Sequence, residues 1–235
     1  MYIALFMYQQ VEQFDNTHLL TIFVCLLFFF LIPYLGKKLT KKNQHVVTIA
    51  LISLGLIEEI TDYSNRMLVR DLNWFEDLPL NICNYVYYIG LVYMWTKKQF
   101  LFEITYLVGL GAAFITILTP EFRMLNTFEY VVFFIAHGLI VIFALWGIFV
   151  DNKKPRKLSI VKVYGFLWIM AVPVGFIDWL TGGNYMFLMQ RPEVSNPIVF
   201  GEWPWYILNI SLVGLFIMSL AYLPFKLLNG VNTKP

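Results

Sequence analysis

The chain has 235 residues, of which 59% are hydrophobic and only 14% charged, with a mean hydropathy of +0.67. A water-soluble domain of this length is not so apolar, which points to an integral membrane protein. The net charge of +2 matters less than its placement, and no basic stretch alternates with aromatics as a nucleic-acid surface would.

The first residues, 1–16, read as a short external segment lying on the membrane. Glu12 and Asp15 precede the first apolar run and lysines follow it, the reverse of a signal peptide's charge order. Seven apolar runs then follow, at about His18–Gly36, Gln44–Asn65, Leu78–Thr96, Gln99–Leu118, Thr127–Val150, Leu158–Leu180 and Pro204–Phe225. Each has roughly the 17–25 residues that cross a bilayer as a helix. The expectation is an all-α, polytopic, multi-pass protein of the cell membrane, one domain over residues 1–235 with seven transmembrane helices. Its orientation follows from the lysines. Every lysine falls in four segments, Lys37/Lys38/Lys41/Lys42, Lys97/Lys98, Lys153/Lys154/Lys157/Lys162 and Lys226/Lys234. The positive-inside rule then sets the N-terminus outside and the C-terminus inside. The opposite side keeps Arg66, Arg70, Arg123 and Arg191.

Along that frame, span 4 carries Thr105, Gly109, Ala112 and Thr116 on one helical face, the small-residue pattern of helix packing. Pro173 and Gly175 predict a kink in span 6. Two external connections are long, residues 66–77 and 181–203. The second opens with Gly182-Gly183, contains Pro192 and Pro197, and holds the apolar run Tyr185–Met189. Connections of this length are more often functional than idle, and 181–203 is read as a lid. Trp74, Trp179, Trp203 and Trp205 form an outer aromatic belt. No repeat is evident, and seven spans fit an inverted-repeat transporter poorly.

The polar groups inside the spans are few. Span 2 has Glu58, Glu59 and Asp62, with Glu58 and Asp62 on one face. Span 3 has Cys83 followed by Asn84, span 5 has His137, and Asp178 lies near the outer end of span 6. Ionisable groups in a span are costly and face the protein interior or a water-filled path. Counted from the run midpoints, Cys83, His137, Glu58 and Glu59 share one layer in the outer half. Thiol, imidazole and carboxylate are the parts of a nucleophilic site: a base takes the thiol proton and a third group orients the base. The same residues have plainer readings. A span cysteine is often an inert small hydrophobe, a span histidine can simply bond two helices, and the carboxylates can hold a cation or conduct protons. Cys25 lies in a stripe of Phe, Leu and Val and reads as core or lipid-facing; neither cysteine suggests a disulfide framework. His18, His45 and His137 fall at three different levels, so no histidine metal site is expected. Span 7 has no lysine before Lys226, which argues against a retinal Schiff base. No phosphate-cradling glycine motif occurs, and no cofactor is expected.

Specific strings carry a resemblance. Leu78-Pro79-Leu80-Asn81-Ile82-Cys83-Asn84, Ala136-His137-Gly138-Leu139-Ile140, Thr181-Gly182-Gly183-Asn184-Tyr185-Met186-Phe187-Leu188 with Arg191-Pro192, Trp203-Pro204-Trp205-Tyr206-Ile207 and Leu223-Pro224-Phe225 resemble elements of the YwaF-like bacterial integral membrane proteins. That family is related to a human transmembrane acyltransferase that builds polyunsaturated ether phospholipids. The resemblance implies an acyl-carrying cysteine and a partner histidine, which fall on Cys83 and His137. It departs at Asn81, where the family has histidine, and at Ala136, where it has serine. The reading is a membrane-embedded lipid acyltransferase or transacylase with a Cys83–His137 thioester mechanism. Glu58, Glu59 or Asp62 would orient the histidine, Asn184 and Arg191 would attend a lipid headgroup, and Asn84 and Asp178 are secondary. Its partner is a membrane phospholipid or lysolipid. The alternative is a non-enzymatic carrier or channel whose carboxylates and His137 form a cation or proton path.

Overall fold

The computed structural model describes residues 9–69, 72–120, 123–124, 126–191 and 200–231. Among these residues the architecture is helical apart from a two-residue pairing of β1 (Gln9–Gln10) with β2 (Arg123–Met124). There are seven long helices: α1 (Asn16–Lys38), α2 (Lys41–Val69), α3 (Ile82–Thr96), α4 (Gln99–Leu118), α5 (Thr127–Phe149), α6 (Ser159–Thr181) and α7 (Trp205–Val231). Five of them, α1, α4, α5, α6 and α7, are long and apolar enough to cross a membrane. The other two differ for separate reasons. α2 has 29 residues but carries Lys41, Lys42, Glu58, Glu59, Asp62 and Arg66. α3 has 15 residues, roughly 22 Å of helix against a hydrocarbon core of about 30 Å.

The late start of α3 has a cause in the sequence. The third run is expected to be helical from Leu78, but Pro79 lacks an N–H and biases the residue before it away from the helical region. Residues 78–81 are instead irregular, and the Leu78 N–H donates to Tyr185 Oη at 2.9 Å. Irregular backbone at membrane depth is tolerated where protein supplies its partners.

Other ends follow ordinary capping chemistry. Asp15 caps α1, its carboxylate accepting from His18 N at 2.7 Å, and Lys37 and Lys38 sit in the last turn. Asn126 caps α5 by accepting from Glu129 N at 2.9 Å. α6 stops at Gly182, whose φ of +77° suits the left-handed cap. α4 is not uniform: Thr105–Gly109 forms a π turn between two α segments, and such turns insert a residue into the helix.

α5 is the centre of the bundle and packs against α1, α2, α3 and α4. α4 also touches α6 and α7, which touch each other. Tyr93, Met94, Phe102, Phe143, Ala144 and Trp146 are wholly buried in the interior. Close approach at Gly109 joins α3, α4 and α5. A Cβ there would lie 2.6 Å from Ile140 Cγ2 and 2.7 Å from Val86 Cγ1, a distance that any larger residue would turn into a clash.

The helix ends gather into two groups. At one end the lysine-bearing connections meet. Asp151 accepts from Lys97 Nζ at 2.8 Å and from Tyr93 Oη at 2.6 Å. Burial lowers the Lys97 ammonium below its ordinary range although Asp151 opposes the shift. Glu103, fully buried, receives Arg156 in a fork, with Nε to Oε1 and Nη2 to Oε2 both 2.8 Å, and also the Arg156 N–H at 3.0 Å. At the opposite end His18 is fully buried. Its Nδ1 accepts from Phe14 N at 2.8 Å, so the ring proton is on Nε2 and is donated to Ile117 O at 2.8 Å. This histidine is a strut between the start of α1 and the end of α4. Trp74, Trp179, Trp203 and Trp205 are all exposed at this end.

Candidate functional site

The sequence candidates lie on α2, α3 and α5, and these three helices contact one another pairwise. A shared depth follows from Gly109. Val86 and Ile140 both pack on it, and α3 and α5 both start from the end opposite the lysines. Cys83 precedes Val86 by three residues and His137 precedes Ile140 by three. Each therefore sits about 4.5 Å nearer that end than the glycine contact. The thiol and the imidazole occupy one level on neighbouring helices.

His137 is half-buried, and its Nδ1 lies 2.8 Å from Phe133 O, one turn back on its own helix. A carbonyl only accepts, so the proton is on Nδ1 and Nε2 keeps its lone pair. Phe133 also holds the ring face, with centroids 4.2 Å apart. The imidazole is thus fixed in tautomer and ring orientation, with the lone pair on Nε2. Cys83 is partly buried against the core, and its thiol has the Thr116 side chain as hydrogen-bond neighbour. Thr116 belongs to the small-residue face of α4.

The carboxyl groups on α2 have other partners. Tyr87 Oη lies 2.5 Å from Glu58 Oε2 and 2.9 Å from Gly55 O. Tyr88 donates to Glu59 Oε1. Asp62 pairs with Arg66 at 2.8 Å, and Arg66 reaches on to Asp77 at 3.0 Å. Glu58 is therefore level with Tyr87, one turn deeper than Cys83. The group that orients His137 is a backbone carbonyl, and the carboxyls tie α2 to α3 and to the segment before it. Tyr87 and Tyr88 were not singled out in the sequence. The signal was available, since two adjacent phenols inside an apolar span need polar partners.

Over the start of α3 lies the segment 182–191. Asn184 Oδ1 accepts from Met189 N at 3.0 Å and Gln190 N at 2.9 Å, and its Nδ2 donates to Gln190 O at 3.0 Å. It staples the run together. Asn81 Oδ1 accepts from Met186 N at 3.1 Å, Tyr206 Oη donates to Phe187 O at 2.7 Å, and Trp203 Nε1 donates to Leu188 O at 3.1 Å. These bonds hold Met186 and Phe187 at φ of +55° and +56°, left-handed values that cost non-glycine residues of order 1 kcal/mol or more. Asn81 thus has a role of its own, as the tie between the start of α3 and this segment. Asp178, 1% exposed, accepts from Tyr185 N at 2.9 Å through Oδ1, while Oδ2 has no partner among the described residues. Asn84 is half-exposed and Arg191 is exposed. Residues 192–199, with Pro192 and Pro197, lie outside the described residues, as do residues 1–8 of the N-terminal segment. No cluster of three or more metal-ligating side chains occurs among the described residues.

Several apolar helices long enough to cross a bilayer, with a thiol, an imidazole and carboxyls between them, define a multi-pass membrane protein. The chain belongs to the TMEM164 family, whose model matches residues 13–222. The match supports the relationship drawn from the sequence strings at the level of that family. No curated protein and no solved structure matches the chain.

Proposed function

We propose that the protein is a membrane-embedded lipid acyltransferase or transacylase whose nucleophile is Cys83 and whose base is His137. The observation that carries this reading is the common level of the two groups about Gly109, with Nε2 of His137 keeping its lone pair through the Phe133 contact. Membership of the TMEM164 family supports it, and the strings that resemble YwaF-like proteins agree with it. The same reading has all seven helices spanning, with the lysine end inside. The short α3 spans together with the segment that packs at its start, and α2 spans with its carboxyls turned to α3. The site then lies in the outer half of the bilayer.

In the reaction, Nε2 of His137 takes the Cys83 proton and the sulfur attacks the carbonyl carbon of a phospholipid ester. The C–O bond breaks, and the imidazolium returns its proton to the departing lysolipid hydroxyl. The Cys83 thioester then meets an acceptor lysolipid. His137 removes the acceptor's proton, the new ester forms, and the proton goes back to sulfur. The Thr116 hydroxyl donates to the sulfur when it carries thiolate charge, before its attack on the ester and again as it leaves the thioester. The carbonyl of Phe133 does the orienting work that a carboxylate does in other triads. The engagement of Glu58, Glu59 and Asp62 with tyrosine and arginine favours this chemistry over a cation path.

The test is a transacylation assay on purified protein in phospholipid nanodiscs with a labelled lysolipid acceptor. Cys83→Ala and His137→Ala each lose at least about a hundredfold in rate, and the double variant loses no more than the worse single, as residues acting as one unit do. Full activity in Cys83→Ala would end the thioester mechanism.

A further inference from the structure

An apolar cavity of about 180 Å³ lies between α4, α6, α7 and the 186–188 turn. Two of its lining residues lie close in the chain to the Cys83 site. Ile82, which precedes Cys83, forms part of its wall, and so does Ala112, one turn along α4 from the Thr116 that faces the thiol. Met186, Phe187 and Leu188 close it.

Its lining is almost wholly apolar and offers little to a polar occupant. The two hydroxyls present belong to Tyr164 and Ser211. Tyr164 donates to Ser211 at 3.1 Å, and Ser211 donates to Leu208 O at 2.8 Å. Both hydroxyl protons are thus engaged within the protein, whereas a buried water needs 2–4 polar partners. The size is informative too. It is near the ~150 Å³ of an apolar cavity that stays dry and takes up a benzene-sized guest. It falls below the roughly 300–1,000 Å³ that buries a drug-sized ligand. A stretch of hydrocarbon chain matches this lining, and a polar headgroup does not. Gly214 leaves that space open, since a Cβ built there meets nothing within 4 Å.

We infer that this cavity is the acyl-chain subsite: it holds a segment of the single fatty acyl chain that is in transit through Cys83. The inference rests on the acyl-transfer reading for its purpose but not for its test. The 186–188 turn, fixed by Asn81 and Tyr206, is the far wall of the subsite. The chain that fits under it sets which fatty acids the site accepts.

The experiment uses the full chain in nanodiscs with a photoreactive diazirine fatty acid, and crosslinked residues are mapped by mass spectrometry. Wild type should crosslink at Met186, Ile210 and Met218. Gly214→Phe fills the space, and Ala171→Leu does so from the opposite wall in case the first variant does not fold. Each should lower those crosslinks about tenfold while labelling of Cys83 by a small thiol probe stays unchanged. Cys83→Ala should keep the crosslinks. Crosslinks spread over lipid-facing residues such as Phe176 and Leu212, and insensitive to Gly214→Phe, would mean surrounding lipid only and would overturn the subsite. Retained cavity crosslinks together with full transacylation in Cys83→Ala would leave the subsite standing and remove the thioester.

Discussion

At the scale of single residues, the phenol caps on the carboxyls make a sharp prediction. Tyr87 Oη has one proton and two acceptors, Glu58 Oε2 and Gly55 O, so all three groups are satisfied together when Glu58 itself carries a proton and donates to Tyr87. Tyr87→Phe removes that partner and strands a carboxyl group that is 6% exposed. The expected loss is roughly 1–3 kcal/mol, read as a lower midpoint of thermal unfolding in detergent. Adding Glu58→Leu to Tyr87→Phe should restore most of it, because replacing both partners with apolar groups leaves nothing unpaired. No recovery in the double variant would assign Glu58 a different partner. The contrast between Cys83 and His137 on one hand and their surroundings on the other shows what residue types disclose. A thiol and an imidazole inside apolar runs are conspicuous by type alone. That His137 is oriented by Phe133 O, or that Asn81 ties down Met186, depends on hydrogen-bond geometry that a string of letters does not carry. The substitution of Asn81 for histidine looked like a loss in the sequence, whereas in the structure it is a contact.

At the scale of elements, two contacts invite measurement. The first is the Arg156 fork on Glu103. Arg156→Ala removes the guanidinium from a buried carboxylate, but the arginine is itself half-exposed and Gln99 Nε2 and the residue-156 N–H remain, so the cost is about 1 kcal/mol. Arg156→Lys keeps the charge but loses the planar fork, so its loss should be intermediate. Thermal unfolding should rank wild type, lysine and alanine in that order, and equal midpoints would make the pair incidental. The second is the segment over α3. Asn81→Ala and Tyr206→Phe each remove one bond from the left-handed pair Met186-Phe187. A net bond is worth roughly 0.5–1.5 kcal/mol, so thiol-probe labelling of Cys83 should speed up by roughly two- to tenfold per variant if the segment gates access. An unchanged rate would make it a fixed wall. Arg191 extends the same region: Arg191→Lys should retain part of the transfer to phospholipid acceptors and Arg191→Glu should lose most of it. Wild-type rates in Arg191→Glu would remove the arginine from headgroup binding. Hydropathy marked these helices well, because each run is long. It placed the start of α3 four residues early, although Pro79 was there to be read. It had no means of showing the π turn, which leaves no trace in composition.

At the scale of the whole molecule, sidedness was the most legible property. The lysine-bearing connections that the sequence assigns to one side do meet at one end of the bundle, around Asp151 and Glu103. Their relation to a cell's interior is a separate matter with a direct test. In a Cys25→Ala/Cys83→Ser background, Glu76→Cys should react with an impermeant maleimide in intact cells and Lys154→Cys should not. The reverse pattern would move the site to the inner leaflet. Packing order was not legible. The central place of α5 and the separation of α6 and α7 on the far side of α4 depend on which apolar faces meet, and every span here is apolar on several faces.

The π turn in α4 gives that helix a phase. Its outer half, with Ala112 and Thr116, is indexed against α3 through one additional residue, while its inner half is anchored by the fork on Glu103. Each residue turns an α-helix by about 100°. Deleting Val108 would take out the extra residue and leave both halves in phase, whereas a further residue inserted after Val108 and carried in ordinary α geometry would swing one half by about a quarter of a revolution against the other. Ala112 would leave the cavity and Thr116 would leave the thiol, with no polar side chain altered. Such an insertion should preserve expression, helix content and the Arg156 contact, yet detune chain preference and Cys83 reactivity together, while the Val108 deletion should leave both near wild type. The π turn would then be the element that takes up one residue and keeps the two halves of the site in step.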